Sequence, residues 1–232
     1  MSELSLRDVT VSLGDRVALD GVTLTLDQGR IAVIGSNGSG KSTFARLLGG
    51  LIAPTAGALS VHGLDPVRDA AAHRRRTSFV FSNPDAQIIM PTVAEDAAFS
   101  LRGERLPRSE SAARVEAALA EFGLAELAAQ PSHDLSGGQK QLLALCAALI
   151  RNPSLVIADE PTAYLDARNS IRIADHLLSD AAAAAGRQLV LVTHDLRLAA
   201  RCDVAVRFED GRLIDVGEPA EVVDRYEVSL RC

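Results

Sequence analysis

The sequence predicts an α/β fold in which a parallel sheet follows an N-terminal antiparallel β region and is interrupted by an α-helical insertion. Three observations predict it. Residues 4–26 alternate apolar and polar side chains with period two. Short unbroken apolar runs at 31–34, 155–158 and 189–192 each lead into turn or capping residues and then helix-like sequence, as buried parallel strands do. Between the first two of these runs, residues 92–151 read as helical throughout.

In the N-terminal region the apolar set is Leu4, Leu6, Val9, Val11, Leu13, Val22, Leu24 and Leu26. Gly14-Asp15 and Asp20-Gly21 are expected to break it into half-exposed antiparallel strands. The helical stretch opens with Thr92 and Glu95 in capping-box spacing and ends before Asn152-Pro153. Within it Ala112, Val115, Leu119 and Phe122 share one helical face, and Gly123 is a C-terminal stop. Residues 204–208 and 213–216 flank Asp210-Gly211 as a hairpin, and Glu218-Pro219 open a short helix. There are no repeats, and only the alanine tract 181–185 is low in complexity.

A chain of 232 residues suits a single cassette, because one core can serve about 250 residues. Hydrophobic residues at 47% and charged residues at 23% exclude a disordered, collagenous or coiled-coil chain. The net charge of -6 gives no general attraction to nucleic-acid phosphates, so nucleic acid is not an expected partner. Cys146, Cys202 and Cys232 are odd in number and scattered, which fits a reducing cytoplasm rather than a disulfide framework or zinc site. The first ten residues carry Glu3, Arg7 and Asp8 and have no signal-peptide apolar region. The longest uncharged apolar run, 142–150, falls far short of the roughly 20 residues that span a bilayer, so the chain is not expected to cross a membrane.

Directly after the first buried strand stands Gly35-Ser36-Asn37-Gly38-Ser39-Gly40-Lys41-Ser42, which fits G-x-x-x-x-G-K-[ST] in the strand, loop, helix context it requires. A chance match in this composition is on the order of one in a thousand. Glycines let the backbone curl until its N–H groups face inward, and the following helix, which carries Thr43, adds its N-terminal dipole. Lys41 supplies a point charge to the β- and γ-phosphates of ATP, and Ser42 is the candidate Mg²⁺ ligand. The chain has only two lysines, Lys41 and Lys140. Lys140 is expected to be a solvated charge in an exposed first helical turn.

Residues 154–158 deliver Asp159 and Glu160 to the C-terminal end of a strand, where open α/β sheets bind ligands. Asp159 is placed as a direct or outer-shell Mg²⁺ partner, and Glu160 as the general base orienting the attacking water. Leu135-Ser136-Gly137-Gly138-Gln139 sets a hydroxyl and two glycines at a helix start, a second anion-binding terminus that one nucleotide does not need.

With that segment the chain resembles the ATP-binding-cassette ATPases, whose signature reads LSGGQ on a helical subdomain between phosphate loop and acidic strand. The resemblance implies a P-loop ATPase core at about 1–84 and 152–232, with a Q-loop and helical subdomain at about 85–151. It also implies a head-to-tail dimer with itself or a paralogous ATPase. There Ser136, Gly137, Gly138 and Gln139 of one chain close on the γ-phosphate held by residues 38–42 of the other. Gln87 matches the Q-loop glutamine that touches Mg²⁺ and water, Asp166 in Ala163-Tyr164-Leu165-Asp166 the D-loop, and His194 in Thr193-His194-Asp195 the switch histidine. His62, His73, His133 and His176 match no motif and are expected at the surface. Where the family places an adenine-stacking ring this chain has Leu13, so base selectivity is expected to be weak.

The stretch Asn83-Pro84-Asp85-Ala86-Gln87-Ile88-Ile89-Met90-Pro91-Thr92-Val93 is similar to that of energy-coupling factor transporters, which import vitamins and cobalt or nickel. The resemblance implies a transmembrane coupling protein, a separate substrate-binding membrane protein and a peripheral place on the cytoplasmic face of the membrane. Ile89, Met90 and Glu95 are candidates for a docking groove, the alternative being core. The wording and the short C-terminal end look most like the biotin-type ATPase, with the cobalt or nickel type second. A soluble cassette protein of DNA repair or translation would need coiled coils, zinc modules or two cassettes, and a P-loop kinase would lack the signature segment.

Overall fold

A computed structural model describes residues 3–163, 165–179 and 186–230. Tyr164, the alanine tract 181–185, Cys232 and the first two residues lie outside the described residues. The chain divides into two compact units, Met1–Phe79 with Ser154–Glu160 and Leu177–Cys232, and Val80–Pro153 with Pro161–His176.

In the first unit the period-two region folds as β1 (Leu4–Leu13) and β2 (Arg16–Leu26), antiparallel in the register Leu4 to Leu26, with Gly14-Asp15 as the turn. Asp20-Gly21 does not end a strand, contrary to the reading from sequence. Register passes from Val9–Val22 to Val11–Leu19, so Asp20-Gly21 is a bulge within β2, with Gly21 at φ 59° and its N–H donating to Thr10 Oγ1 at 3.2 Å. A local Asp-Gly signal marks both turns and bulges, and only cross-strand register separates them. The three-stranded sheet is completed by β4 (Ala56–Val61), antiparallel to β1.

The apolar runs form β3 (Arg30–Ile34), β6 (Leu155–Asp159) and β7 (Gln188–Val192), all parallel. With β5 (Thr77–Val80), β8 (Val204–Glu209) and β9 (Arg212–Gly217) they make a six-stranded sheet in the order β5-β6-β7-β3-β8-β9. The hairpin joining β8 and β9 turns on Asp210 and Gly211, both at positive φ, as a two-residue loop matched to strand twist requires. Helix α1 (Lys41–Leu48) buries Phe44, Ala45, Leu47 and Leu48. Phe44 meets Phe208 at 5.0 Å between ring centroids in the core shared by both sheets. Each such side chain contributes about 1.5–3 kcal/mol on burial, so this face fixes the helix start beneath the phosphate loop.

The second unit is helical but not throughout. Helices α3 (Val93–Phe99), α4 (Arg108–Glu121) and α5 (Gly137–Leu149) are separated by turns at 100–107 and by loops and single 3₁₀ turns at 122–136. Pro107 and Gly123 enforce these breaks, the first starting α4 and the second ending it at φ 68°. The capping box of Thr92 and Glu95 is formed. Val115 and Leu119 on α4 and Phe122 at its C-cap are buried, whereas Ala112 is exposed. Helix α5 is buried along most of its length, which explains its long apolar run.

The histidines differ from expectation. His133 is exposed, but His73, on helix α2 (Ala70–Arg76), is buried, and His176 stacks on Phe122 at 4.3 Å. His62 Nε2 lies 2.7 Å from Gln188 Oε1. Burial, the largest cause, lowers the pKa of His73 from 6.5, partly offset by the backbone of Leu48 and Gly49, and burial lowers His176 as well. Below the ordinary value the unfolded chain therefore binds more protons than the folded one, and stability falls as pH drops. The melting temperature should decrease from about pH 7.5 to about pH 5.5, and His73→Leu should flatten that slope. An unchanged slope in the variant would remove His73 as its source.

Candidate functional site

The first unit builds a phosphate-sized cradle from the end of β3. Gly35 turns the chain at φ 144° where a Cβ would run into Phe208 O, and Gly40 does so at φ 106° where a Cβ would lie 2.8 Å from Ala18 O. Both positions exclude any side chain. Lys41 Nζ donates to Gly35 O and Ser36 O, each at 2.7 Å, so the ammonium is held over the loop. Desolvation, the largest cause, lowers its pKa, while Glu160 and Asp159 act in the opposite sense. Ser39 Oγ is buried and has no hydrogen-bond partner among the described residues.

Across the cradle, β6 carries Asp159, whose Oδ1 accepts from Ser42 Oγ at 3.0 Å. Burial raises the Asp159 pKa, opposed by the Ser42 hydrogen bond and by Arg46. Glu160 follows at φ 51°, a left-handed conformation that costs a non-glycine residue on the order of 1 kcal/mol and that recurs at functional sites. Its N–H donates to Val192 O at 2.9 Å. Its Oε2 lies 2.6 Å from His194 Nδ1 and accepts from the His194 N–H at 3.3 Å. Sequence neighbours on β6 and the turn after β7 thus meet because those strands are adjacent.

A cavity of about 230 Å³ is lined by Leu13, Arg16, Ala18, Glu160 and every residue of 37–43. Lys41, Ser42 and Glu160 line this cavity of the first unit, and Asp159 and His194 are joined to it through their contacts with Ser42 and Glu160. Arg16 was not foreseen: its Nη2 donates to Gly38 O at 3.0 Å, and an arginine after a Gly-Asp turn carries no motif. The oxygen donors Ser42 Oγ and Asp159 Oδ1 suit Mg²⁺, which characteristically takes one or two protein oxygens and completes its shell with water and substrate phosphate. Among the described residues no group of three or more His, Cys, Asp or Glu could hold a metal ion by itself. A cation here would depend on phosphate oxygens, and the donor set fits that use.

The second unit holds the other candidates. Gln87 ends a 3₁₀ turn, Pro84–Ala86, and its Nε2 donates to Ala144 O at 2.8 Å while its Oε1 accepts weakly from Phe81 N–H at 3.4 Å. Ser136 caps α5 in a capping box with Gln139, accepting from Gln139 N–H at 3.3 Å and donating its own N–H to Gln139 Oε1 at 2.8 Å. Gly137 is exposed at the helix start and Gly138 is buried. Asp166 accepts from Asn169 N–H at 2.9 Å and from Asn169 Nδ2 at 2.8 Å, which together hold its pKa below the usual carboxylate value. Lys140 is not a solvated charge: it is half-buried and pairs with Asp85 at 2.8 Å, linking α5 to the turn before Gln87.

Ile89 is 62% exposed, and Met90 is half-buried. Both backbone N–H groups donate to the buried Asp96 carboxylate, at 2.9 and 3.0 Å, and Ser132 Oγ donates to Met90 O at 2.6 Å. The segment is thus anchored by its backbone. Close to it in sequence, a groove of about 870 Å³ is lined by residues of α3, the turns at 101–106, α4 and Ala125, Glu126 and Ala128, among them Glu95, Leu101, Arg102, Val115 and Leu119. No described helix is long and apolar enough to cross a membrane.

Comparison with known proteins gives a consistent picture. The ABC transporter family pattern matches residues 19–163. The chain is 43% identical over 216 residues to the biotin transport ATP-binding protein BioM of Rhizobium etli, covering 93% of this chain and 94% of that one. It is 43% identical over 225 residues to the nickel import ATP-binding protein NikO of Rhodobacter capsulatus, covering 92% and 88%. It is 37% identical over 222 residues to the energy-coupling factor transporter ATP-binding protein EcfA1 of Lactiplantibacillus plantarum, covering 94% and 78%. The solved structure of cbiO1 from Clostridium perfringens, part of the ABC transporter complex cbiONQ, superposes with a TM-score of 0.84 at 30% identity, covering 98% and 93%. The phosphate loop, the acidic end of β6 and these relatives agree: the chain belongs to the ABC transporter family, as an ATPase subunit of the group containing the biotin-transport and energy-coupling factor ATP-binding proteins.

Proposed function

We propose that this chain is the ATP-hydrolysing subunit of an energy-coupling factor importer, driving uptake of a vitamin, biotin first, through separate membrane subunits. The observation that carries the hydrolytic reading is the cavity lined by Lys41, Ser42 and Glu160, with Asp159 bonded to Ser42 and His194 in contact with Glu160. In this reading the chain is one catalytic cassette, with 1–84 and 152–232 as the core and 85–151 as the Q-loop and helical insertion.

The reaction follows from those side chains. The backbone N–H groups of residues 35–43 and the Lys41 ammonium bind the β- and γ-phosphates of ATP, phosphate oxygens replacing the two carbonyls that Lys41 now contacts. Ser42 and Asp159 would hold Mg²⁺, which when bound neutralises charge on the β- and γ-oxygens. Glu160 accepts a proton from the attacking water at Oε2, and His194, 2.6 Å away, fixes that carboxylate and senses the γ-phosphate. Ser136, Gly137, Gly138 and Gln139 of a second copy, or of a paralogous ATPase, close over the γ-phosphate from the other side. Asp166 sits at that junction as the D-loop acid.

Biotin is favoured by the similarity to BioM, and nickel or cobalt is the second reading, favoured by the similarity to NikO at the same identity. A soluble cassette of DNA repair or translation is a distant third, and the net charge of -6 favours no nucleic-acid partner. The chain would then act at the cytoplasmic face of the membrane, bound to a transmembrane coupling protein and, through it, to a substrate-binding membrane protein. The test is detergent-extracted copurification together with labelled biotin and labelled nickel or cobalt uptake in cells lacking this chain. Loss of biotin uptake alone supports the first reading, loss of metal uptake alone the second, and copurification with ribosomes or DNA without membrane proteins would overturn both.

The base end of the cavity offers Leu13, Arg16 and Ala18 and no aromatic ring. GTP should therefore be hydrolysed with a kcat/KM within roughly fivefold of ATP, since even base stacking would be worth only about 1 kcal/mol beside the phosphate contacts. Competition kinetics showing a preference of two orders of magnitude for ATP would contradict this.

A further inference from the structure

Gly137 and Gly138 look equivalent in sequence and are not equivalent in the structure. A Cβ at Gly137 would meet nothing within 4 Å. A Cβ at Gly138 would press into the Asn169 amide, whose Nδ2, Cγ and Oδ1 are its nearest neighbours, with Oδ1 at 3.0 Å. Gly138 is inside α5, where the backbone itself accepts any L-residue, so its small size answers to Asn169 and not to its own φ. The same amide is also held by Asp166, because Nδ2 donates to Asp166 Oδ2 at 2.8 Å and the Asn169 N–H donates to Asp166 Oδ1 at 2.9 Å. Asn169 lies in the first turn of α6 (Ala167–Leu178), so one side chain touches both the start of α5 and the acid that precedes α6.

We propose that Asn169 is a positioning residue that locks Asp166 to the Ser136–Gly138 helix start, so that these two loops present themselves to a second ATPase chain as one rigid piece. This deepens the shared-site reading above and rests on it. An amide with a fixed flip and a packed face has few alternative rotamers, and removing it frees both loops at once. Asn169 touches no nucleotide in this account; it acts through Ser136, Gly137 and Asp166.

The test is a double-mutant cycle on purified chain, reading kcat, KM for ATP and melting temperature. Asn169→Ala should lower kcat about tenfold with KM and melting temperature little changed. Gly138→Ala should cost more in the wild-type background than in the Asn169→Ala background, because the clash disappears with the amide. Gly137→Ala, which meets no neighbour, should cost the same in both. Asn169→Asp keeps the volume but sets a second carboxylate against Asp166, so its activity relative to wild type should rise as pH falls and the pair shares a proton. Wild-type kcat in both Asn169 variants, or equal losses for Gly138→Ala in the two backgrounds, would overturn the proposal. Failure of the shared-site reading is separately visible, since mixtures of Lys41→Ala and Ser136→Arg chains test it without touching Asn169.

Discussion

Glu160→Gln is expected to slow single-cycle ATP hydrolysis by about 100-fold or more while preserving ATP binding, the usual cost of removing a general base. Glutamine keeps the size of the side chain and can still hold a water, but it cannot accept the water's proton. The backbone should tolerate it, since the left-handed turn at 160 is fixed by the Glu160 N–H bond to Val192 O and the change leaves that bond in place. His194 Nδ1, now 2.6 Å from Oε2, keeps an oxygen acceptor in the amide. Bound ATP that is not turned over should accumulate an ATP-stabilised dimer, visible as a doubling of mass in gel filtration. Turnover at the wild-type rate would remove Glu160 from the role of base and leave Asp159, whose pKa is raised by burial, as the remaining carboxylate of the site.

Met90→Asp is expected to uncouple the ATPase from transport. Ile89 is exposed and Met90 half-buried, and the segment is held by Asp96 and Ser132 through its backbone, so the side chain at 90 can change without breaking those bonds. A charge placed in a desolvated apolar contact costs several kcal/mol unless paired. A micromolar interface is worth only about 8 kcal/mol, so the membrane partner should dissociate. Glu95, whose carboxylate caps α3, is the group we propose to pair with a basic residue of that partner. The variant should melt within a few degrees of wild type and hydrolyse ATP in isolation within about twofold, yet lose membrane copurification and vitamin uptake. A joint fall of folding, soluble ATPase activity and uptake would mean that these residues are core.

Elements set by local chemistry were legible in the sequence. The Thr92–Glu95 capping box, the Asp210-Gly211 hairpin, the Gly123 helix stop and the three buried parallel strands each follow from spacing and residue type alone. The phosphate loop was legible for the same reason, since every part of it lies in eight consecutive residues. What escaped depends on partners distant in sequence. Asp20-Gly21 is a bulge because β1 fixes its register, and Lys140 is paired because Asp85 lies 55 residues earlier. Burial of His73 depends on a core assembled from distant segments, and a histidine among arginines reads as surface. Arg16 and Asn169 belong to no motif and gain meaning only from the carbonyl of Gly38 and the Cα of Gly138.

The central claim is that each catalytic site is shared between two chains, Lys41 from one and Ser136 from the other. Lys41→Ala removes the charge facing phosphate, and Ser136→Arg fills the helix start that would close on it, so each chain alone should be inactive. Mixed in equal amounts they should recover about one working composite site in each mixed dimer, as head-to-tail symmetry requires. ATPase activity of the mixture, with mixed-dimer content measured by differential tags, is the decisive measurement. Recovery in proportion to mixed dimer is the predicted result, and a mixture that forms mixed dimers yet hydrolyses no ATP would contradict the account.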